Sequence, residues 1–106
     1  MREVTSSPFD NLTFDASSRT VIFEGMRVHL SRCESAILQA LLECRGVPLS
    51  REELRERLYG SGRHILGNPI EVYVNHLRGK LSPDLIRTLR GVGYVIPARG
   101  DRRFQL

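Results

Sequence analysis

The sequence predicts a small α+β domain, made of an N-terminal antiparallel β-meander, a three-helix unit and a C-terminal β-hairpin. Three observations predict it. Short β-branched and apolar runs separated by turn residues fill residues 12–30, three helix-start signals follow between residues 31 and 71, and a glycine-framed turn divides the last apolar runs. The chain has 106 residues, of which 41% are hydrophobic and 26% charged. That is enough for one core, and the balance is that of a folded domain. No apolar run approaches the roughly 20 residues needed to cross a bilayer. Residues 1–10 lack the apolar stretch of a secretory signal. A membrane protein, a secreted mini-protein and a large enzyme are therefore not expected.

Residues 1–8 have no periodicity and read as a linker or frayed end. Leu12 to Asp15, Thr20 to Phe23 and Met26 to Leu30 read as the three strands of the meander. Asp15-Ala-Ser-Ser18 and Glu24-Gly25 are the turns between them. Phe9, Leu12, Phe14, Val21, Phe23, Met26 and Val28 are expected to supply its apolar face. Ser31-Arg-Cys-Glu34 is a capping box, in which the Ser hydroxyl serves the amide three residues on and the Glu carboxylate reaches back. Cys33, Ile37, Leu38, Leu41 and Leu42 then form a helical apolar stripe, and Gly46 is expected as its C′ stop. Ser50-Arg-Glu-Glu53 is a second capping box, with Leu49 and Leu54 placed as a hydrophobic staple. The third start is Asn68-Pro-Ile-Glu71, read as Asn at the N-cap and Pro at N1. On that helix Ile70, Val74, Leu77 and Leu81 share one face. Val72, Asn75, His76 and Gly79 lie opposite, flanked by Glu71, Tyr73, Arg78 and Lys80. Ser82-Pro-Asp84 stops it. Ile86 to Arg90 and Tyr94 to Ile96 read as strands joined across Arg90-Gly-Val-Gly93.

Charge is unevenly spread. Residues 1–50 hold five arginines against six acids, or −1, whereas residues 51–106 hold ten arginines and one lysine against six acids, or +5. A one-sided basic excess points to a polyanion, with nucleic acid first. The two cysteines, Cys33 and Cys44, have no zinc-ligand spacing and read as buried free thiols of a reducing compartment. No cofactor or metal is expected. A polar-faced helix followed by an Arg-tipped hairpin suits duplex DNA. The helix fits the major groove, where base edges are distinguishable, and the arginine fits a narrow minor groove.

The motifs Leu30-Ser-Arg-Cys-Glu34, Leu49-Ser-Arg-Glu-Glu-Leu54, Ile70-Glu-Val-Tyr-Val-Asn-His-Leu-Arg-Gly-Lys-Leu81 and Ile86-Arg-Thr-Leu-Arg-Gly-Val-Gly-Tyr94 resemble the OmpR/PhoB-type winged helix-turn-helix. That is the DNA-binding effector domain of bacterial two-component response regulators. The resemblance spans residues 9–98 and leaves 99–106 as a basic tail. It implies a recognition helix over 69–81, with Val72, Asn75 and His76 reading bases. It implies phosphate contacts from Arg51, Asn68, Tyr73, Arg78, Lys80 and Thr88, and a wing over 86–96 with Arg90 in the minor groove. It further implies direct-repeat sites bound by head-to-tail pairs of a protein that is monomeric alone. A receiver domain upstream, a cytoplasmic setting and a possible RNA polymerase contact through loop 60–67 complete what it implies. His76 and Gly79 depart from the family, where arginine or lysine is common.

Other readings stand beside these. Tyr73 and Tyr94 also read as core aromatics. Arg78 also reads as a structural cation, paired with an acid such as Glu71 or one elsewhere. A winged-helix protein-interaction module is the alternative function, since fold does not fix function. An enzyme is not expected, because three scattered histidines, no glycine-framed serine and no paired carboxylates supply no catalytic set.

Overall fold

The computed structural model describes residues 12–60 and 69–98. Expectations for the linker 1–8, Phe9, the loop after Gly60, Asn68 and the tail 99–106 fall outside these residues.

Strands β1 (Leu12–Asp15), β2 (Thr20–Phe23) and β3 (Met26–His29) form an antiparallel sheet with β2 in the middle. The register pairs Phe14 with Val21 and Val21 with Val28. Alternation sends Val21 and Phe23 into the core and leaves Ile22 outside. The β2–β3 loop is two residues, Glu24 and Gly25, at φ 51° and 81°. Both are positive, as a type I′ hairpin turn requires. Met26 stands directly after that turn and is 65% exposed, so it does not join the apolar face as the alternation suggested.

Helices α1 (Arg32–Glu43), α2 (Arg51–Tyr59) and α3 (Ile70–Lys80) pack together over the sheet's inner face. Both capping boxes form as the sequence reads. Ser31 Oγ accepts from the Glu34 amide and Glu34 Oε1 from the Ser31 amide, and Ser50 and Glu53 repeat the exchange. The stripe Ile37, Leu38 and Leu41 is fully buried. Cys33 and Cys44 are free and only half-buried, because they flank that stripe. Two boundaries differ from the sequence reading. α1 ends at Glu43 with Cys44 as C-cap, and Gly46 lies beyond it, donating its amide to the Ile96 carbonyl at 2.8 Å. The N-cap of α3 is Pro69, at ψ 158°, with no side-chain cap. Proline therefore sits one position before N1, and its carbonyl accepts from the Val72 amide.

Strands β4 (Arg87–Leu89) and β5 (Gly93–Val95) make the hairpin, its loop being Arg90, Gly91 and Val92. The hairpin is shorter than the apolar runs suggested, yet Leu85, Ile86 and Ile96 at its base are all buried. It is also fastened to the helices. Leu49 exchanges both backbone hydrogen bonds with Tyr94, at 2.8 and 2.9 Å. A side chain at Gly93 would collide with the Leu49 carbonyl and lie 2.8 Å from Ser50 Cα, and φ there is +151°.

A buried carboxylate ties α1 to α3. The Glu34 side chain is 5% exposed and meets Lys80 Nζ at 2.6 Å and His76 Nδ1 at 3.1 Å. Lys80 also donates to the His29 carbonyl of β3. Burial alone would raise the Glu34 carboxyl. Lys80 and the Ser31 amide and hydroxyl outweigh it and hold the group below its ordinary value of 4.5.

Two predictions follow from this packing. Gly93→Ala is expected to destabilise the domain by about 3 kcal/mol or more, through collision and backbone strain together. Gly79→Ala, with ordinary helical φ and open space around the new methyl, is expected to stabilise it by about 1 kcal/mol. Urea titrations at neutral pH separate the two. The second concerns acid. A carboxyl depressed in the folded state contributes stability that is complete above about pH 4.5, the unfolded value, and lost as pH falls through the folded value. Urea midpoints from pH 6 down to pH 3 should fall more steeply for the wild type than for Glu34→Gln. Parallel curves would show that the pairing contributes nothing.

Candidate nucleic-acid interface

The exposed side of α3 follows from its buried side. Ile70, Val74 and Leu77 are buried, which turns Asn75 outward and leaves Val72 partly open. The Asn75 side chain makes no hydrogen bond to another described residue, so its amide is available for an external edge. His76 is half-exposed, but its Nδ1 is committed to Glu34. The Tyr73 ring stands edge-on to it, with centroids 6.4 Å apart at 81°. The neighbouring Tyr73 hydroxyl, with burial second, pushes the Tyr59 phenol up to about 12.

The cations assigned to phosphate are mostly engaged inside the domain. Arg51, at the start of α2, pairs with Glu71 of α3 at 2.8 Å. Glu71 is thus not the partner of Arg78. The Arg78 guanidinium donates to the Ile86 carbonyl at 3.1 and 2.7 Å and to Thr88 Oγ1 at 2.8 Å. It also lies 5.9 Å from the centre of the Tyr94 ring. Tyr94 is 4% exposed and is a core aromatic that seats the hairpin. Arg78 and Thr88 therefore form one unit that fixes the hairpin to α3, and Lys80 is held on Glu34. Only the Arg51–Glu71 pair is open to water on both sides; it is worth at most about 1 kcal/mol and can be exchanged for an incoming phosphate at little cost.

Between the start of α2 and the hairpin lies an open cleft of about 460 Å³. It brings together Arg51, Thr88 and Arg90, with Arg55 and Glu52 also on its wall. Arg90 stands exposed in the loop and has no partner among the described residues. Tyr73 stands edge-on to the His76 ring and does not line the cleft. Asn68 and residues 61–67 lie outside the described residues.

Sequence reasoning missed three participants. Arg55 reads as an ordinary helix-surface charge until the hairpin is placed opposite it. Glu34 was legible as a cap, but nothing in the spacing signals that its second oxygen meets a residue 42 positions away. The Leu49–Tyr94 bridge likewise has no local signature.

Among the described residues, no helix is long and apolar enough to cross a membrane. Residues 25–96 match the family model described as "Transcriptional regulatory protein, C terminal". The chain is 46% identical over 85 residues to the response regulator protein PmrA of Pseudomonas aeruginosa, covering 80% of this chain and 38% of that protein. It is 38% identical over 98 residues to the response regulator MprA of Mycobacterium avium, covering 89% of this chain and 43% of that protein. It thus spans about two fifths of the length of these relatives. The fold superposes on the Klebsiella pneumoniae RstA DNA-binding domain, solved in complex with the RstA box, with a TM-score of 0.71 and 28% identity. That match covers 89% of this chain and 98% of that one. On the family match and the shared fold, the chain belongs to the C-terminal domains of transcriptional regulatory proteins, the OmpR/PhoB-type winged helix-turn-helix.

Proposed function

We propose that this domain binds double-stranded DNA sequence-specifically, as the output domain of a two-component response regulator. The observation that carries the reading is the placement of one open polar face and one arginine. Val72, Asn75 and His76 lie on a single helix that is rigidly joined, through Arg78 and Thr88, to a wing ending in Arg90. The likeness to RstA, whose DNA-binding domain was solved on its box, supports it. So does the +5 charge of residues 51–106. The family is one of transcriptional regulators rather than enzymes.

In this reading α3 lies in the major groove. Asn75 takes adenine through a bidentate amide contact, Val72 packs on a thymine methyl and His76 meets a third base edge. The wing follows the backbone and places Arg90 in the adjacent minor groove. Arg51, Asn68, Tyr73, Arg78, Lys80 and Thr88 approach phosphates. Arg51 exchanges Glu71 for a phosphate oxygen, and the amides opening α2 face the same anion. The rest of the reading rests on the family. The sites are direct repeats about one helical turn apart, occupied by head-to-tail pairs of a domain that is monomeric alone. A receiver precedes the domain in the full-length protein, the loop 60–67 is a surface for RNA polymerase, and the setting is the bacterial cytoplasm.

Selection from a random duplex pool tests the reading directly. An enriched direct repeat is the expected result. Asn75→Ala should then cost about 1–3 kcal/mol at one adenine and relax the preference there. Arg90→Ala should weaken binding to all sequences and reduce the slope of log K against log salt by about one. Salt-insensitive or absent duplex binding would instead favour a protein-interaction module on the same scaffold.

A further inference from the structure

The third base reader, His76, is oriented by a group that cannot donate a hydrogen bond. Glu34 Oε2 stands 3.1 Å from His76 Nδ1, and the Glu34 side chain is 5% exposed. Its other oxygen, Oε1, already accepts from Lys80 Nζ and from the Ser31 amide. Against the opposing effect of burial, Lys80 and the Ser31 amide hold the carboxyl below its ordinary value, so it is ionised at neutral pH. An ionised carboxylate only accepts, so the hydrogen shared with His76 must sit on Nδ1. In the neutral ring Nε2 then carries a lone pair and no hydrogen. Lys80 is held on the same carboxylate, and Tyr73 stands edge-on to the ring. Neither supplies a partner for Nε2, which takes no hydrogen bond among the described residues.

This alters what His76 can read. Guanine offers only acceptors in the major groove, at N7 and O6, whereas adenine N6 and cytosine N4 are donors. We infer that Glu34 is a specificity-positioning residue that fixes His76 as a hydrogen-bond acceptor, directed at an adenine or cytosine amino group. The inference deepens the DNA-binding reading and rests on it for the identity of the ligand. The tautomer itself does not depend on that reading. An arginine in place of His76 could only donate. The departure from the family's common residue therefore changes the polarity of the contact as well as its strength.

Two measurements on the intact domain test this. Long-range proton–nitrogen NMR of ring-labelled histidine at pH 8.5, with His76→Ala identifying the His76 signals, should show Nδ1 protonated and Nε2 bare. A ring predominantly protonated at Nε2 overturns the inference, whether or not any variant of Glu34 folds. In Glu34→Gln, if folded by circular dichroism, the His76 signals should move toward the Nε2-protonated form. Unchanged signals there would remove Glu34 as the cause. Duplex selection at pH 8.5 reads the consequence, at the one base position whose preference vanishes in His76→Ala. Adenine or cytosine should exceed guanine there about fivefold, the worth of one hydrogen bond. Guanine preferred there overturns the inference. Wild-type protein with no sequence preference anywhere overturns the proposed function instead, and the nitrogen signals still decide the tautomer.

Discussion

A carboxylate withdrawn from water has to be matched oxygen by oxygen, and the arrangement of this domain follows from how Glu34 is matched. One oxygen closes the cap of α1 and takes Lys80, and the other takes His76. Lys80 and His76 are four residues apart and so lie on one side of α3. Gripping both sets the rotation of that helix about its own axis. The apolar contacts of Ile70, Val74 and Leu77 require only that their stripe faces inward, and a stripe tolerates some rolling. The ionic contact narrows that freedom, because an unpaired buried charge would cost several kcal/mol. The angular position of Val72 and Asn75 toward an outside partner is thereby settled from the inner side of the domain.

The remaining cations obey a different balance. Arg51 with Glu71 is a half-exposed pair, and such pairs add little stability. Its value is geometric: a long side chain already held near the mouth of the cleft loses less entropy on meeting a phosphate. Arg78 is the opposite case. Its fork is filled by a carbonyl and a hydroxyl and lies near an aromatic face, so it behaves mainly as a tie between α3 and the wing. The residue types Arg51 and Arg78 are equivalent in the sequence. Only the presence of a buried carbonyl at Ile86 separates a cation that can be released from one that the fold uses.

That contrast shows where the sequence is legible. Features whose partners lie within four residues were readable: both capping boxes, the helical stripes and the Glu24-Gly25 turn. The chemistry and the spacing sit together in the chain there. The errors arise where the deciding partner is distant or the backbone intervenes. Met26 obeys the alternation, yet it follows a two-residue turn and faces water. Gly46 looks like a helix stop, but its amide is drawn to Ile96, fifty residues on, and α1 ends before it. Asn68-Pro has the composition of a cap and a first turn, but the extended ψ of Pro69 places proline itself at the cap. The candidate interface residues are proposed from the family pattern, which says nothing of their pairing states. Whether Lys80 or His76 is open to solvent depends on Glu34, and no local rule connects positions 34, 76 and 80.

The wing shows how a short hairpin can be firm at one end and open at the other. A three-residue hairpin strand has too few hydrogen bonds to stand alone. Here Leu49 adds a third chain beside β5, and the approach is so close that only glycine fits at position 93. The base is thus held by backbone contacts that do not depend on surface side chains. Beyond it, Arg90, Gly91 and Val92 carry no comparable packing, and Val92 is 55% exposed. An arginine on such a tip retains its conformational freedom until it binds and gives some of it up on docking. The fixed base limits how much, because only the side chain and one turn remain to be ordered. A wing free along its whole length would lose more for the same contact. The steric demand at Gly93 therefore sets how much of the wing is left free at Arg90.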